Sequence, residues 1–128
     1  MEYELLKDKK ILIVEDDLSS RLYLNKILEK TGALLFNAVD GQEAIDVARS
    51  EPGIDVILMD IQLPVIDGYG SANKIREFRK NIIIIAQTAY SLLGDREKIF
   101  ASGFDDYIVK PILPRQLIDK LINVLIKG

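Results

Sequence analysis

Five apolar, strand-like runs alternate with five segments of helical spacing, and this alternation restricts the fold of the 128-residue chain more than any other feature. The runs are KILIVE (10–15), ALLFNA (33–38), DVILMD (55–60), IIIIAQ (82–87) and DYIVK (106–110). Three of them are nearly continuous Val, Ile and Leu, as in parallel strands covered on both faces. Between and after them, apolar residues recur with helical period. Leu18, Leu22 and the pair Ile27/Leu28 form a stripe in 18–31; Ala44, Ile45 and Ala48 form one in 41–51. Segment 91–102 presents Leu92, Ile99 and Phe100, and segment 113–127 presents Leu117, Leu121 and Leu125 flanked by Ile118 and Ile122. The stripe in 67–79 (Ala72, Ile75, Phe78) is weaker, because Gly70 inside a helix costs about 1 kcal/mol against Ala. Turns are expected at Thr31-Gly32, Asp40-Gly41, Pro52-Gly53, Ser102-Gly103 and around Pro111 and Pro114. With no linker and no internal repeat, residues 1–128 read as one doubly wound α/β domain.

Composition narrows the chemistry. The net charge of −3 and the lack of any clustered Lys/Arg stretch argue against a nucleic-acid surface. The N-terminal MEYELLKDKK has no apolar signal region, and IIIIA at 82–86 is far too short to span a bilayer, so no membrane contact is expected. Without cysteine there is no disulfide or thiol chemistry, which fits the cytoplasm. Without histidine the chain has no Ser-His-Asp triad, no histidine metal site and no phosphohistidine of its own.

Polar residues collect where the strands end. The first run closes on Glu15 and Asp16, the third on Asp60, the fourth leads into Thr88 and the fifth closes on Lys110. In an open parallel sheet, ligands sit beyond the carboxyl ends of the strands. Two carboxylates roughly 4 Å apart repel by about 4 kcal/mol at an effective dielectric near 20. Three crowded together either protonate or recruit a cation. An all-oxygen set selects a hard ion, and few dedicated ligands suit Mg²⁺ better than Ca²⁺. A divalent ion beside an ammonium and a hydroxyl suits a phosphoryl group, with Asp60 as candidate nucleophile. Asp17 and Asp67 read as helix caps, and Arg21 and Arg96 as solvated helix charges.

Four stretches in this order and spacing, ILIVEDD (11–17), ILMDIQLPVIDG (57–68), TA (88–89) and DDYIVKP (105–111), resemble the receiver domain of two-component response regulators. The resemblance covers essentially the whole chain. It implies a flavodoxin-like sheet in the order 2-1-3-4-5, with Asp60 as phosphoacceptor. Asp16 would bind Mg²⁺ directly, Glu15 mostly through water, and the Gln62 backbone carbonyl would add a ligand. Lys110 would pair with Asp60 at rest and with the phosphoryl group afterwards, across a cis Lys110–Pro111 bond. Thr88 would donate its hydroxyl to the phosphoryl group, and Tyr107 would rotate into the vacated space. Gln62 and Tyr90 stand where the family tunes hydrolysis, Tyr90 lying over the phosphate to slow water attack. Family members often carry Glu where Gly70 stands.

By the same resemblance the partner is a histidine kinase or a histidine phosphotransfer domain. The readout face, and that of any homodimer, is built from 91–102, 106–110 and 113–127. Such a domain catalyses its own phosphorylation and dephosphorylation without turning over an external substrate. The stretch GDREKIFASGFDDYIVKPI (94–112) is most similar to receivers of hybrid sensor histidine kinases, so the expected context is a domain within a larger kinase. A stand-alone regulator is the alternative, since only one helical segment follows the fifth run. Two other classes are weaker. A haloacid-dehalogenase-like phosphatase wants a second Asp where Gln62 stands, and a non-phosphorylated scaffold would have lost the acid pair, the acceptor or the lysine.

Overall fold

A computed structural model describes residues 5–89 and 93–127, without the side chains of 93–95 and 127. The five apolar runs are strands: β1 (Lys10–Val14), β2 (Leu34–Ala38), β3 (Val56–Asp60), β4 (Ile83–Thr88) and β5 (Asp106–Val109). The helices between and after them are α1 (Leu18–Glu29), α2 (Gly41–Ser50), α3 (Gly68–Phe78), α4 (Leu93–Ala101) and α5 (Pro114–Ile122), the last running on as a π-helical turn over Asn123–Lys127. All strand pairs are parallel and the order is β2-β1-β3-β4-β5.

Strand alternation divides the core in two. Leu12, Val14, Ile57, Met59, Ile84 and Ala86 face α2, α3 and α4. Ile11, Ile13, Val56, Leu58, Ile85 and Ile108 face α1 and α5. Every residue of β3 is buried, which explains the unbroken apolar run that leads to Asp60. By the same parity Asp60 and Gln87 fall on the α1–α5 face, and Thr88 on the other.

Two expected stripes are displaced. In α1 the buried residues are Leu24 and Leu28, whereas Leu18 and Leu22 are each 59% exposed. At about 100° per residue, Leu18 and Leu22 stand roughly 80° and 120° around the helix from Leu28. In α4 Ile99 is buried, but Phe100 is exposed and meets the Tyr107 ring edge-on; Leu92 lies outside the described residues. The α2, α3 and α5 stripes are placed as read, with Gly70 in the first turn of α3, donating its N–H to the capping Asp67.

The Asp40-Gly41 pair is a helix start and not a free turn: Asp40 caps α2 through the Glu43 N–H, and Gly41 is its first, buried residue. Arg79 joins the end of α3 to the last turn of α2 and the segment after it, donating to the carbonyls of Ala48, Glu51 and Ile54. The loop from β3 to α3 holds one strained position: Val65, a β-branched residue, has φ +70° and is 77% exposed. Val65→Asn is therefore expected to stabilise the fold by about 1 kcal/mol in urea titration, with little burial lost. An unchanged midpoint would mean that Val65 is not held in this conformation.

Candidate functional site

The C-terminal ends of β1, β3 and β5 bring Glu15, Asp16, Asp60 and Lys110 together. One carboxylate oxygen from each of the three acids lies within 4.8 Å of the others. Glu15 and Asp60 are buried and Asp16 is exposed. The Lys110 ammonium donates to Asp60 Oδ2 at 2.6 Å and to Glu15 Oε1 at 3.4 Å. Asp60 Oδ1 accepts the Gln62 backbone N–H at 2.9 Å, so both carboxylate oxygens are fixed. The Asp17 N–H turns Glu15 in the same way. The Lys110–Pro111 bond is cis. Thr88, buried at the end of β4, lines the same cleft of about 360 Å³ together with Asp60, Gln62, Asp67, Tyr69 and Lys98.

The local electrostatics follow from burial and crowding. Burial pushes the Glu15 carboxyl up; the Asp17 N–H opposes this, and the charge of Asp60 adds to the rise. For Lys110, burial pulls the ammonium down, but the hydrogen bond and charge of Asp60, then Glu15, more than offset it and leave the pKa raised. A carboxyl raised by folding makes its ionised form destabilising. That penalty is absent below the ordinary carboxylate pKa and complete above the folded one. Glu15→Gln is accordingly expected to raise Tm at pH 7 without added metal, the gain vanishing in mild acid, while Mg²⁺ affinity falls. A wild type more stable than Glu15→Gln at pH 7 would contradict the crowding argument.

Among the described residues, the other expected positions are placed as follows. Gln62 lies in the β3–α3 loop and lines the cleft. Tyr107 is half-buried in β5, packed against Phe100, with the Arg96 guanidinium 5.9 Å from its ring centre. Tyr90 lies outside the described residues. Asp17 and Asp67 are N-caps, as read. The Ser20 N–H holds the Asp17 carboxyl below its ordinary range.

Of the two arginines read as solvated helix charges, Arg96 is exposed as expected and Arg21 is not merely solvated. Arg21 donates to the Glu15 carbonyl at 2.9 Å and so buttresses the β1 tip; Arg96 is exposed but lies against Tyr107. Three cleft residues escaped the sequence reading: Tyr69, Lys98 and Gln87. Lys98 of α4 lines the cleft with its ammonium 4.3 Å from the Tyr69 ring centre. Gln87 of β4 pairs with Asp60 in the ladder. Its signal was a polar residue inside an otherwise apolar strand; Lys98 had none.

A parallel sheet in this order with helices on both faces is the flavodoxin-like fold of chemotaxis-type regulators. Within that class the chain matches the response regulator receiver domain over residues 11–122 and belongs to that family. It is a receiver domain of two-component signal transduction systems. It is 38% identical over 126 residues to "Hybrid signal transduction histidine kinase I" of Dictyostelium discoideum, covering 92% of this chain and 7% of that protein. The chain spans about half or less of the length of the curated relatives it matches. Among solved structures, it resembles the receiver domain of sensor histidine kinase PA1611 from Pseudomonas aeruginosa PAO1, which has a magnesium ion coordinated in its active-site cleft. The TM-score is 0.84 at 34% identity, covering 94% of this chain and 99% of that one. It also resembles the receiver domain of Ssk1, solved with the histidine phosphotransfer protein Ypd1 of Saccharomyces cerevisiae. There the TM-score is 0.87 at 32% identity, over 91% and 88% of the chains. No helix among the described residues is long and apolar enough to cross a membrane.

Proposed function

We propose that Asp60 is the phosphoacceptor of a phosphorelay, taking its phosphoryl group from a phosphohistidine on a partner. The observation that carries this reading is the cluster of Glu15, Asp16 and Asp60 with the Lys110 ammonium 2.6 Å from Asp60. The chain has no histidine, so the donor belongs to another domain or chain. An Asp60 oxygen forms a bond to phosphorus as the donor's N–P bond breaks, and the imidazole keeps the electron pair. Lys110 steadies the carboxylate beforehand and the phosphoryl oxygens afterwards, and Thr88 donates its hydroxyl to the same oxygens.

The donor set is all oxygen and fits a hard divalent cation: Glu15, Asp16, Asp60 and the Gln62 carbonyl would hold Mg²⁺. Bound there, Mg²⁺ supplies charge neutralisation to the transferring group. Tyr107, half-buried beside α4, is the switch through which the phosphorylated state alters the α4–β5–α5 face for a partner or a second copy of the domain. Likeness to a hybrid histidine kinase supports a receiver carried in such a kinase, working in the cytoplasm. Exposed Tyr23 and Leu113 line a groove beside Lys110 on the α1 side, and with the exposed Leu18 and Leu22 of α1 they suit docking of a phosphotransfer domain, the kind of partner seen with Ssk1.

Incubation with acetyl phosphate and Mg²⁺ tests the reading. One phosphoryl mass on the Asp60 peptide supports it. No gain on folded, Mg²⁺-bound protein would mean a scaffold, and sustained hydrolysis of a phosphomonoester would mean a phosphatase.

A further inference from the structure

Two lysines line the acidic cleft among the described residues, and the chemistry above uses one of them. Lys110 is committed, its ammonium shared between Asp60 and Glu15 at the strand tips. Lys98 of α4 is not. It is exposed, it pairs with no carboxylate among the described residues, and its ammonium rests 4.3 Å from the centre of the Tyr69 ring. That ring is carried close to the acceptor. Tyr69 follows Gly68, whose N–H donates to the Ile61 carbonyl at 2.8 Å. Gly68 packs so tightly there that a Cβ on it would lie 2.5 Å from the Asp60 carbonyl oxygen. Phe104 backs Tyr69 edge-on, with ring centres 6.2 Å apart, so the ring is braced from the side of α4.

The balance of charge changes when Asp60 is modified. The free side chain carries one negative charge; as an acyl phosphate it loses that charge and bears up to two on the phosphoryl oxygens. Glu15, Asp16 and Asp67 stay beside it, so the cleft becomes more negative. A cation–π contact at an exposed site is worth only a few-fold in an equilibrium. Attraction between an ammonium and a dianion is stronger at a similar distance, and a cleft screens it less than open solvent. Lys98 has a flexible four-carbon stem and no carboxylate partner to give up, so the phosphoryl group wins the ammonium from the ring.

We propose that Lys98 is a second phosphoryl-binding cation of the cleft, parked on the Tyr69 ring at rest and drawn onto the phosphoryl oxygens once Asp60 is phosphorylated. It acts beside Lys110, which keeps its place at Asp60 and the phosphoryl group. Tyr69 holds the ammonium at the cleft wall without a competing carboxylate. Because α4 also presents Arg96 and Phe100 to Tyr107, capture of Lys98 pulls on the helix that borders the switch. This inference rests on Asp60 being the acceptor.

The test begins with wild type, acetyl phosphate and Mg²⁺; absence of label on Asp60 would remove the underlying reading itself. With labelling established, the Lys98 ε-methylene protons are followed by NMR. Shielded by the Tyr69 ring at rest, they are expected to move downfield in phosphorylated wild type and to stay in place in Asp60→Asn given the same donor. Lys98→Gln is expected to phosphorylate about fivefold more slowly at low ionic strength, the gap closing as salt screens the charge, with Lys98→Arg within about twofold of wild type. Lys98 is exposed, so the Tm of both variants is expected to be unchanged. Unmoved ε-methylene protons in labelled wild type, a wild-type rate in Lys98→Gln at low salt, or equally slow Gln and Arg variants would overturn the inference.

Discussion

Asp60→Asn is expected to show no phosphoryl mass gain with acetyl phosphate and Mg²⁺, a loss of more than about a thousandfold in rate. An amide offers no nucleophilic carboxylate oxygen, and Glu15, the other buried carboxylate held by a backbone N–H and Lys110, lies farther from the ammonium, at 3.4 Å against 2.6 Å for Asp60. Gln62 holds one of its oxygens and Lys110 the other, at the end of a fully buried strand. Asp16 and Glu15 belong to the neighbouring strand tip, where Asp16 is exposed and Glu15 is turned by the Asp17 N–H. Stability should change far less than activity, because two effects oppose each other. Lys110 loses its nearest partner, while Glu15 loses the like charge that helps push its carboxyl up. Intact mass and a thermal melt on the same sample separate the two quantities. Label retained by Asp60→Asn on another residue would move the acceptor and sink the assignment.

Gly41→Ala is expected to destabilise the domain by at least about 3 kcal/mol, lowering Tm by roughly 10 °C. A Cβ at Gly41 would lie 1.7 Å from the Ile66 carbonyl oxygen, 2.6 Å from the Ile66 carbonyl carbon and 2.3 Å from Ser71 Oγ. The nearest obstacle is backbone, so no rotamer change relieves it, and Ser71→Ala is expected not to rescue the variant. Either α2 or the β3–α3 loop must retreat. That loop also carries Gln62, whose N–H holds Asp60, so Mg²⁺ affinity should weaken together with Tm. A melt within a couple of degrees of wild type would mean that α2 and the loop do not pack this closely.

The reading of Asp40-Gly41 as a turn shows where sequence patterns stop. Gly is as common in turns as at close backbone contacts, and only the position of Ile66 distinguishes the two. The same limit applies to α1. Leu18 and Leu22 carry the right residue type at the right spacing, but which face of a helix meets the sheet depends on its docking angle, and Leu24 and Leu28 are the pair that face inward. Arg21 looked like an ordinary helix charge, because its partner is a backbone carbonyl and leaves no trace in residue types.

By itself the sequence determined the parallel α/β fold and the gathering of Glu15, Asp16, Asp60, Thr88 and Lys110 at one sheet edge. Strand period and strand polarity are local properties, and a parallel sheet places all its C-terminal ends together. Only the tertiary structure decided the distances within that cluster, the presence of Lys98 in the cleft and its seat against the Tyr69 ring. Each depends on side chains from separate elements meeting in space, and the one-dimensional pattern carries no record of such encounters.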